Sequence, residues 1–470
     1  MKTIIVPTLK CKTSSTEEMA ALSKFVAWAQ GAPVLHSNCY ETIHTWEPNC
    51  NKAWVVAVPE ALRFSFKTYA TFYLVTTLVG AKGNIKKIDW SKFTKDTLRS
   101  TIFLTCNLIF YLSFLCQIRH VVGFHSIPTL GYTNGILSSL CAILVEKKSR
   151  RPALALYLTN LASETLYRQL ANHGYLRTIP HGTFIPFAIG LALFKYLSTK
   201  GGLGKSLDGF LSSALQDKPD SGNSHIVKVG TAVQKNLPHA FKEMIERLKK
   251  DCGKSAACDH DDSCVYNGSK VFLHNASIGL AISSILSIVK NITKPGKIPA
   301  AILNKDNLKM PLFFGLLPMI YHTSRCLLNR VPSSTLRPSP RVRDILSAAA
   351  AGSSMIVNPQ ISISMFVMWK AIEAFYTHLV ETGKARWIKN ADVLLYAISC
   401  GYVLGCATFE PHAIRKGYVH FLEGLTGNKI KQFNRWHFDF YGAESSKLYG
   451  RPDFNLNPKF VTMNPDMKPY

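Results

Sequence analysis

Two short segments of the sequence contain closely spaced side chains that could bind a metal ion. Their cysteine and histidine residues are, in order along the chain, Cys39, His44, Cys50, Cys252, Cys258, His260 and Cys264. Three thiols and one imidazole form a donor set that holds Zn²⁺ in a tetrahedron. The spacing differs from that of a standard zinc knuckle, so three interpretations stay open: zinc sites, disulfide bonds and free thiols. No other cofactor is expected.

The other cysteines considered lie in or beside apolar segments of the chain. A thiol in such a segment usually packs as a small apolar side chain. We therefore interpret these residues as packing residues: Cys106, Cys116, Cys141, Cys326, Cys400 and Cys406.

Two acidic residues lie inside apolar segments, one in each half of the chain. Glu164 is followed by Tyr167 and Arg168, and Glu373 is followed by Tyr376. A charge at the centre of a bilayer costs about 2.5–3.5 kcal/mol, so acids within a membrane are functional candidates. Either acid could pin helix packing or line a path for a lipid or ion. Catalysis is not expected, because no nucleophile or paired carboxylate recurs beside them, and the chain is predicted not to be an enzyme.

The acids belong to a repeat that runs along the chain. The pairs Glu164/Glu373, Tyr167/Tyr376 and Gly174/Gly383 are each separated by 209 positions. Upstream, Lys95-Asp96 corresponds to Lys305-Asp306 at a separation of 210. A nearly constant separation over matches in the same order predicts a tandem duplication.

Composition indicates a membrane protein. The chain has 470 residues, 47% of them apolar, with a mean hydropathy of +0.07 and recurring apolar blocks of about the 20 residues that a bilayer span needs. In a chain of this kind, helices are needed to satisfy the hydrogen-bonding groups of the backbone within the bilayer. We predict an all-α polytopic membrane helical bundle built from two tandem homologous halves, with about eight to ten spans. The net charge of +26 suits an anionic membrane surface, and no nucleic-acid module is recognisable. Basic residues in most loops leave the orientation open.

Small residues mark sites of close helix packing. Gly131 and Gly135 lie four positions apart, as do Gly401 and Gly405, and Gly352 follows a run of alanines. In lipid, such residues let helix backbones approach closely.

Changes in composition predict five regions. These are an N-terminal extension (1–36), a first membrane repeat with a cysteine-rich start (37–199), a basic linker (200–250), a second membrane repeat with a cysteine-rich start (251–409), and a basic aromatic tail (410–470).

Three motifs carry a resemblance to a known family. They are Asn38-Cys-Tyr-Glu with His44-Thr-Trp and Cys50, then Glu146-Lys-Lys-Ser-Arg-Arg, then Tyr157-x-x-Asn-Leu-Ala-x-Glu-Thr-Leu. Together they resemble the transmembrane protein 135 family, over most of the chain and most strongly from 38 to 170. That family is similar to the superfamily of mitochondrial Tim-type translocases and peroxisomal membrane proteins, a likeness of fold that leaves the chemistry open.

The resemblance implies a multi-pass protein of mitochondrial and peroxisomal membranes. Such a protein would promote organelle fission through a dynamin-related GTPase and act in lipid homeostasis. Membrane lipids, that GTPase and a second copy of the chain are the expected partners, and nucleic acid is not. Two alternatives remain. One is a lipid or small-molecule transporter whose path lies between the repeats, lined by Glu164 and Glu373. The other is a translocase-like membrane component.

Overall fold

The structure is a computed structural model. It describes residues 34–216, 263–290, 304–331 and 338–462 except 82, 440 and 453, together with 258, 260 and a few positions from 296 to 300. Cys252, most of the N-terminal extension and most of the basic linker lie outside the described residues. The described part is all-helical, and its only β contact is an isolated bridge between Leu35 and His125.

The helices follow one another along the chain with short connections. They are α1 (Cys39–Thr42), α2 (Cys50–Gly80), α3 (Trp90–Val122), α4 (Thr133–Ile143), α5 (Arg151–Asn172), α6 (Phe184–Thr199), α7 (Lys205–Leu215), α8 (Cys264–Lys290), α9 (Lys305–Asn329), α10 (Pro340–Ala351), α11 (Ile361–Glu381), α12 (Ala391–Phe409), α13 (Lys416–Leu425), α14 (Arg435–Asp439) and α15 (Ser446–Tyr449). A π-helical turn, Pro128–Tyr132, leads directly into α4.

Local sequence signals set the ends of the long helices. Before α3, the Asp89 side chain accepts a hydrogen bond from the Lys92 backbone amide, as an N-cap residue does. After α3, Gly123 has a φ of +85° and its amide donates to the Arg119 carbonyl oxygen. Glycine adopts this left-handed conformation without the steric cost of a Cβ atom, so it closes the helix. Asn304 caps the start of α9 in the same way as Asp89 caps α3.

Three of the described helices are long and apolar enough to cross a membrane, judged by length and composition. They are α3, α8 up to Ile288, and α12, while the apolar helix α6 is shorter. The sequence predicted about eight to ten spans. Among the other long helices, α2 contains three charged residues, Glu60, Arg63 and Lys67, which are costly within a span. The higher count stays a prediction.

The helices form two compact units. The first unit comprises residues 1–177 and 389–470. In it α2 packs on α3, α3 on α4, and α12 on both α4 and α5, while α13 packs on α2. Its core includes Leu115, Leu130, Leu161, Val403 and Phe438.

The second unit comprises residues 178–388. In it α8 packs on α9, α9 on α10, and α6 on both α10 and α11. Its core includes Phe187, Leu191, Tyr321, Met355 and Ala371. The second unit thus repeats the scheme of the first, a long hairpin followed by two helices and one further apolar helix. The tandem duplication itself stays a prediction.

The borders of the compact units differ from those of the predicted repeats. Helix α6, from the first predicted repeat, packs within the second unit, and α12, from the second predicted repeat, packs within the first. Each half of the sequence therefore supplies one helix to the unit built mainly from the other half.

Candidate functional site

The first cysteine-rich segment forms a compact cluster with one residue from a distant helix. The potential ligand atoms of Cys39, His44, Cys50 and Cys116 all lie within 4.8 Å of one another. Cys39 and Cys50 are the first residues of α1 and α2, and Cys116 lies in the last two turns of α3. The fold thus brings three thiols and one imidazole to the end of the α2/α3 hairpin that is remote from its connecting loop.

His44 has one ring nitrogen engaged and the other directed into the protein. Its Nδ1 lies 2.7 Å from the carbonyl oxygen of Glu47. A carbonyl only accepts, so Nδ1 carries the proton and Nε2 keeps its lone pair. Nε2 is buried and makes no hydrogen bond within the part of the chain that the structure describes. A buried, unused lone pair beside three thiols is a feature of a metal ligand.

The second cysteine-rich segment forms a cluster of the same composition. The potential ligand atoms of Cys258, His260, Cys264 and Cys326 all lie within 4.8 Å of one another. The sulfurs of Cys258 and Cys264 are 3.5 Å apart, and His260 Nε2 is 3.1 Å from the sulfur of Cys326. Arg330 Nη2 lies 3.3 Å from the Cys264 sulfur. Cys264 begins α8 and Cys326 lies near the end of α9.

The structure changes the sequence-based composition of both clusters. Cys252 was a predicted member of the second cluster and lies outside the described residues. Cys116 and Cys326 were interpreted as packing residues, and the structure instead places their sulfurs with the other ligands. A signal for them was present, because they are separated by 210 positions, as are Asp96 and Asp306.

The two acids of the predicted repeat have unequal surroundings. The Glu164 side chain is 1% exposed and pairs with Arg168 at 2.6 Å and with Arg415 at 3.7 Å. Arg168 is on the same helix, α5, whereas Arg415 precedes α13. One buried carboxylate therefore lies between two guanidinium groups, both in the first unit.

Glu373 lies at a partly exposed position on α11. Its side chain is 38% exposed and pairs with Lys370 at 2.5 Å. The Tyr376 hydroxyl donates to the Arg386 carbonyl oxygen and accepts from the Ile388 amide, at 2.9 and 3.0 Å. Tyr167, by contrast, is exposed. Both acids form ion pairs with basic side chains, so the geometry indicates a structural role for them.

The small residues lie where helices approach most closely. A Cβ atom on Gly131 would lie 2.8 Å from the Gly405 Cα atom, and one on Gly135 would lie 3.0 Å from the Gly401 Cα atom. These contacts join the turn before α4, and α4 itself, to α12. In the second unit, a Cβ atom on Gly352 would lie 2.5 Å from the Cα atom of Ala188 in α6. Helices α6 and α12, which each pack within the unit built mainly from the other half of the sequence, therefore both pack at glycine positions.

A buried arginine in the tail was not singled out from the sequence. Arg435 is fully buried and donates hydrogen bonds to the carbonyl oxygens of Thr408 and Ile430, at 2.7 and 2.6 Å, and to the Ser445 hydroxyl at 2.8 Å. Its guanidinium also lies 4.8 Å from the centre of the Tyr449 ring. Burial lowers the pKa of Arg435 to about 10. The arginine ties the tail to the C-terminal end of α12.

Comparison with known proteins places the first cysteine-rich segment in a family. Residues 36–171 match the family model for the N-terminal cysteine-rich region of Transmembrane protein 135. The match covers the first cluster, including Cys116, and ends seven residues after Glu164. No solved structure matches the chain. The cysteine-rich region of the chain, residues 36–171, is thus similar to that of the transmembrane protein 135 family, as its sequence motifs predicted.

Proposed function

We propose that the chain is a non-enzymatic, multi-pass protein of mitochondrial and peroxisomal membranes. In this proposal it promotes organelle fission through a dynamin-related GTPase and contributes to lipid homeostasis. The family match over residues 36–171 supports the proposal, because these activities are what the resemblance implies. The Tim-type superfamily likeness and a second copy of the chain as partner are part of the same proposal.

The apolar surface of α8 is the structural observation that supports a membrane location. Only 28% of the most apolar 18-residue segment of this helix is buried inside the protein. Leu273 is 67% exposed and Ile285 is 60% exposed. A helix of 27 residues is about 40 Å long, which exceeds the hydrocarbon core of about 30 Å. Contact with lipid chains would remove these apolar side chains from water, where their exposure is unfavourable.

The proposal includes about eight to ten spans. Helices α2, α9 and α11 have 31, 25 and 21 residues, so each is long enough to cross as well. Their charged residues would then face protein or water-filled space. Accessibility labelling of single cysteines placed in each connecting loop would count the crossings. Loops that alternate between the two sides across most helices would agree with this number, and three crossings would contradict it.

The fission activity is tested in cells that lack the protein. A tagged chain should reach mitochondria and peroxisomes, shorten mitochondria, increase the number of peroxisomes and recruit the dynamin-related GTPase. Replacing residues 217–250 by a Gly/Ser segment of equal length should abolish recruitment if this linker binds the partner. Glu373→Gln serves as the matched control and should keep full activity. Normal organelle shape with and without the protein would refute the proposal.

A lipid or small-molecule transporter is the second candidate. The observation in its favour is the excess of positive charge at Glu164, where two arginines surround one acid, since such a group suits an anionic headgroup or a fatty-acyl carboxylate. The purified protein in liposomes should then move a fluorescent fatty acid, and Glu164→Gln should change the flux. No flux from folded wild-type protein would exclude this candidate. A translocase-like component is a third candidate and rests on superfamily likeness alone.

A further inference from the structure

We propose that each of the two cysteine and histidine clusters is a structural Zn²⁺ site with three thiolate ligands and one imidazole ligand. The first site is formed by Cys39, His44, Cys50 and Cys116. The second is formed by Cys258, His260, Cys264 and Cys326. Zinc with four protein ligands has no open position for substrate, so these sites would stabilise the fold.

The distances in the second cluster favour a shared ion over a disulfide bond. Zn–S bonds of about 2.3 Å in a tetrahedron separate two sulfurs by about 3.8 Å. A disulfide bond holds them about 2.0 Å apart. The sulfurs of Cys258 and Cys264 are 3.5 Å apart, which is close to the edge of the tetrahedron. The 3.1 Å between His260 Nε2 and the Cys326 sulfur is slightly below the corresponding edge of about 3.6 Å.

In the first cluster, a hydrogen bond holds the His44 ring in the tautomer that a metal ligand needs. The Glu47 carbonyl oxygen accepts from Nδ1 of His44, which leaves the buried Nε2 with a lone pair and no hydrogen bond within the described residues. Zinc-binding histidines commonly donate their other ring nitrogen to a carbonyl or carboxylate, which fixes the tautomer and the ring orientation.

Each cluster has an arginine that would balance its charge. Zn²⁺ with three thiolates and one neutral imidazole carries a net charge of −1, after the three thiols have released their protons to solvent. Arg330 contacts the Cys264 sulfur. Arg119, three residues after Cys116, donates to the carbonyl oxygens of His36 and Ser37, just before Cys39. An adjacent guanidinium stabilises such an anion in a partly buried site.

The position of the sites explains what the ion would do. Cys50 and Cys264 begin the first helix of a long hairpin, and Cys116 and Cys326 lie near the end of the second. A zinc ion would therefore clamp the open end of each hairpin, and the binding energy would become folding energy. A site that was present before the predicted duplication would explain the same arrangement in both units.

Metal analysis of the full chain tests the proposal. The protein would be purified in detergent through a tag without histidine and without added metal. We expect two zinc ions per chain by elemental mass spectrometry. Cys116→Ala and Cys326→Ala should each retain one ion, and the double variant none. Cys106→Ala is the matched control, because Cys106 is on the same helix as Cys116 but outside the cluster, and it should retain two.

A second measurement on the unmodified chain guards against variants that do not fold. Removal of zinc by a membrane-permeable chelator should make six further thiols reactive toward a maleimide, the three of each cluster. Replacing zinc by Co²⁺ should produce the visible absorption of tetrahedral cobalt thiolate. Wild-type protein without zinc, in which mass spectrometry finds Cys39–Cys50 or Cys258–Cys264 disulfides, would overturn the proposal. Zinc that persists equally in all variants would also overturn it, as adventitious binding.

Discussion

Adding one methyl group at Gly401 should separate α12 from α4. A Cβ atom at this position would lie 2.6 Å from the Ile136 backbone nitrogen and 2.9 Å from its Cα atom. Heavy atoms in contact prefer about 3.5 Å, so the two helices must move apart by about 0.5–1 Å, which forfeits a quarter to a half of each contact energy along the interface. The Cβ atom would also meet Cγ1 of the Ile136 side chain, and a rotamer change could relieve that contact but not the two contacts with backbone atoms.

The expected cost of Gly401→Ala is about 2 kcal/mol. Overpacking typically destabilises by about 1–3 kcal/mol, and a contact with backbone lies at the upper end of this range. The higher helix propensity of alanine offsets up to about 1 kcal/mol of this cost. Unfolding entropy is about 2.1 cal/mol/K per residue, so for a chain of 470 residues a loss of about 2 kcal/mol lowers the melting temperature by about 2 °C.

Thermal unfolding in detergent, followed by near-ultraviolet circular dichroism, measures this effect. Gly417→Ala is the matched control, because Gly417 lies in α13 of the same unit and a Cβ atom there would meet nothing within 4 Å. It should leave the melting temperature unchanged or raise it slightly. If Gly401→Ala unfolds at the same temperature as Gly417→Ala, the close contact between α4 and α12 does not hold in the protein.

Three further predictions concern charged and titratable side chains. Glu164→Gln should destabilise the protein by about 1–3 kcal/mol, because two guanidinium groups lose their buried carboxylate. Glu373→Gln should change the stability by less than about 0.5 kcal/mol, because the ion pair of Glu373 with Lys370 is partly exposed. Equal melting temperatures for the two variants would contradict this asymmetry. Arg435→Met should cost at least about 2 kcal/mol through its lost buried hydrogen bonds, whereas Lys447→Met, which breaks a surface ion pair, should cost less than about 0.5 kcal/mol; a small effect at Arg435 would mean that the tail is not anchored there. Burial, and then the charge of Arg119, lowers the pKa of His125 to about 3. The unfolded chain therefore binds more protons below pH 6.5, and stability should fall as the pH drops from 6.5 towards 3, by about 1.4 kcal/mol per pH unit. Wild type and His125→Gln melted between pH 7 and 4.5 should diverge, and parallel curves would contradict the burial of this histidine.

Local patterns in the sequence predicted the helical class and the close-packing glycines. Spacing of four positions between Gly131 and Gly135, and between Gly401 and Gly405, suffices to mark a flat helix face. The partner of each face could not be derived in the same way. A small-residue face fits any other such face, and the contact between Gly135 and Gly401 joins positions separated by 266 residues.

The surroundings of the duplicated acids also could not be read from the sequence. Glu164 and Glu373 have similar neighbours along the chain, yet one is buried between two arginines and the other is partly exposed. One difference is Arg415, which pairs with Glu164 and lies 251 positions after it in the tail that follows α12. The predicted cysteine clusters were incomplete for the same reason, since Cys116 and Cys326 approach the other ligands only after the hairpins form.

Helix α12 is synthesised long after the two helices of the first unit on which it packs. The faces of α4 and α5 are complete once residue 172 has been made, but their partner begins at Ala391. A ribosome that adds about 5–20 residues per second needs roughly 10–45 s to cover that interval. During this time the face of α4 that carries Gly135 lacks its partner helix α12. A chain terminated before Ala391 would never supply α12 to this face, so early truncation should damage the first unit as severely as the second.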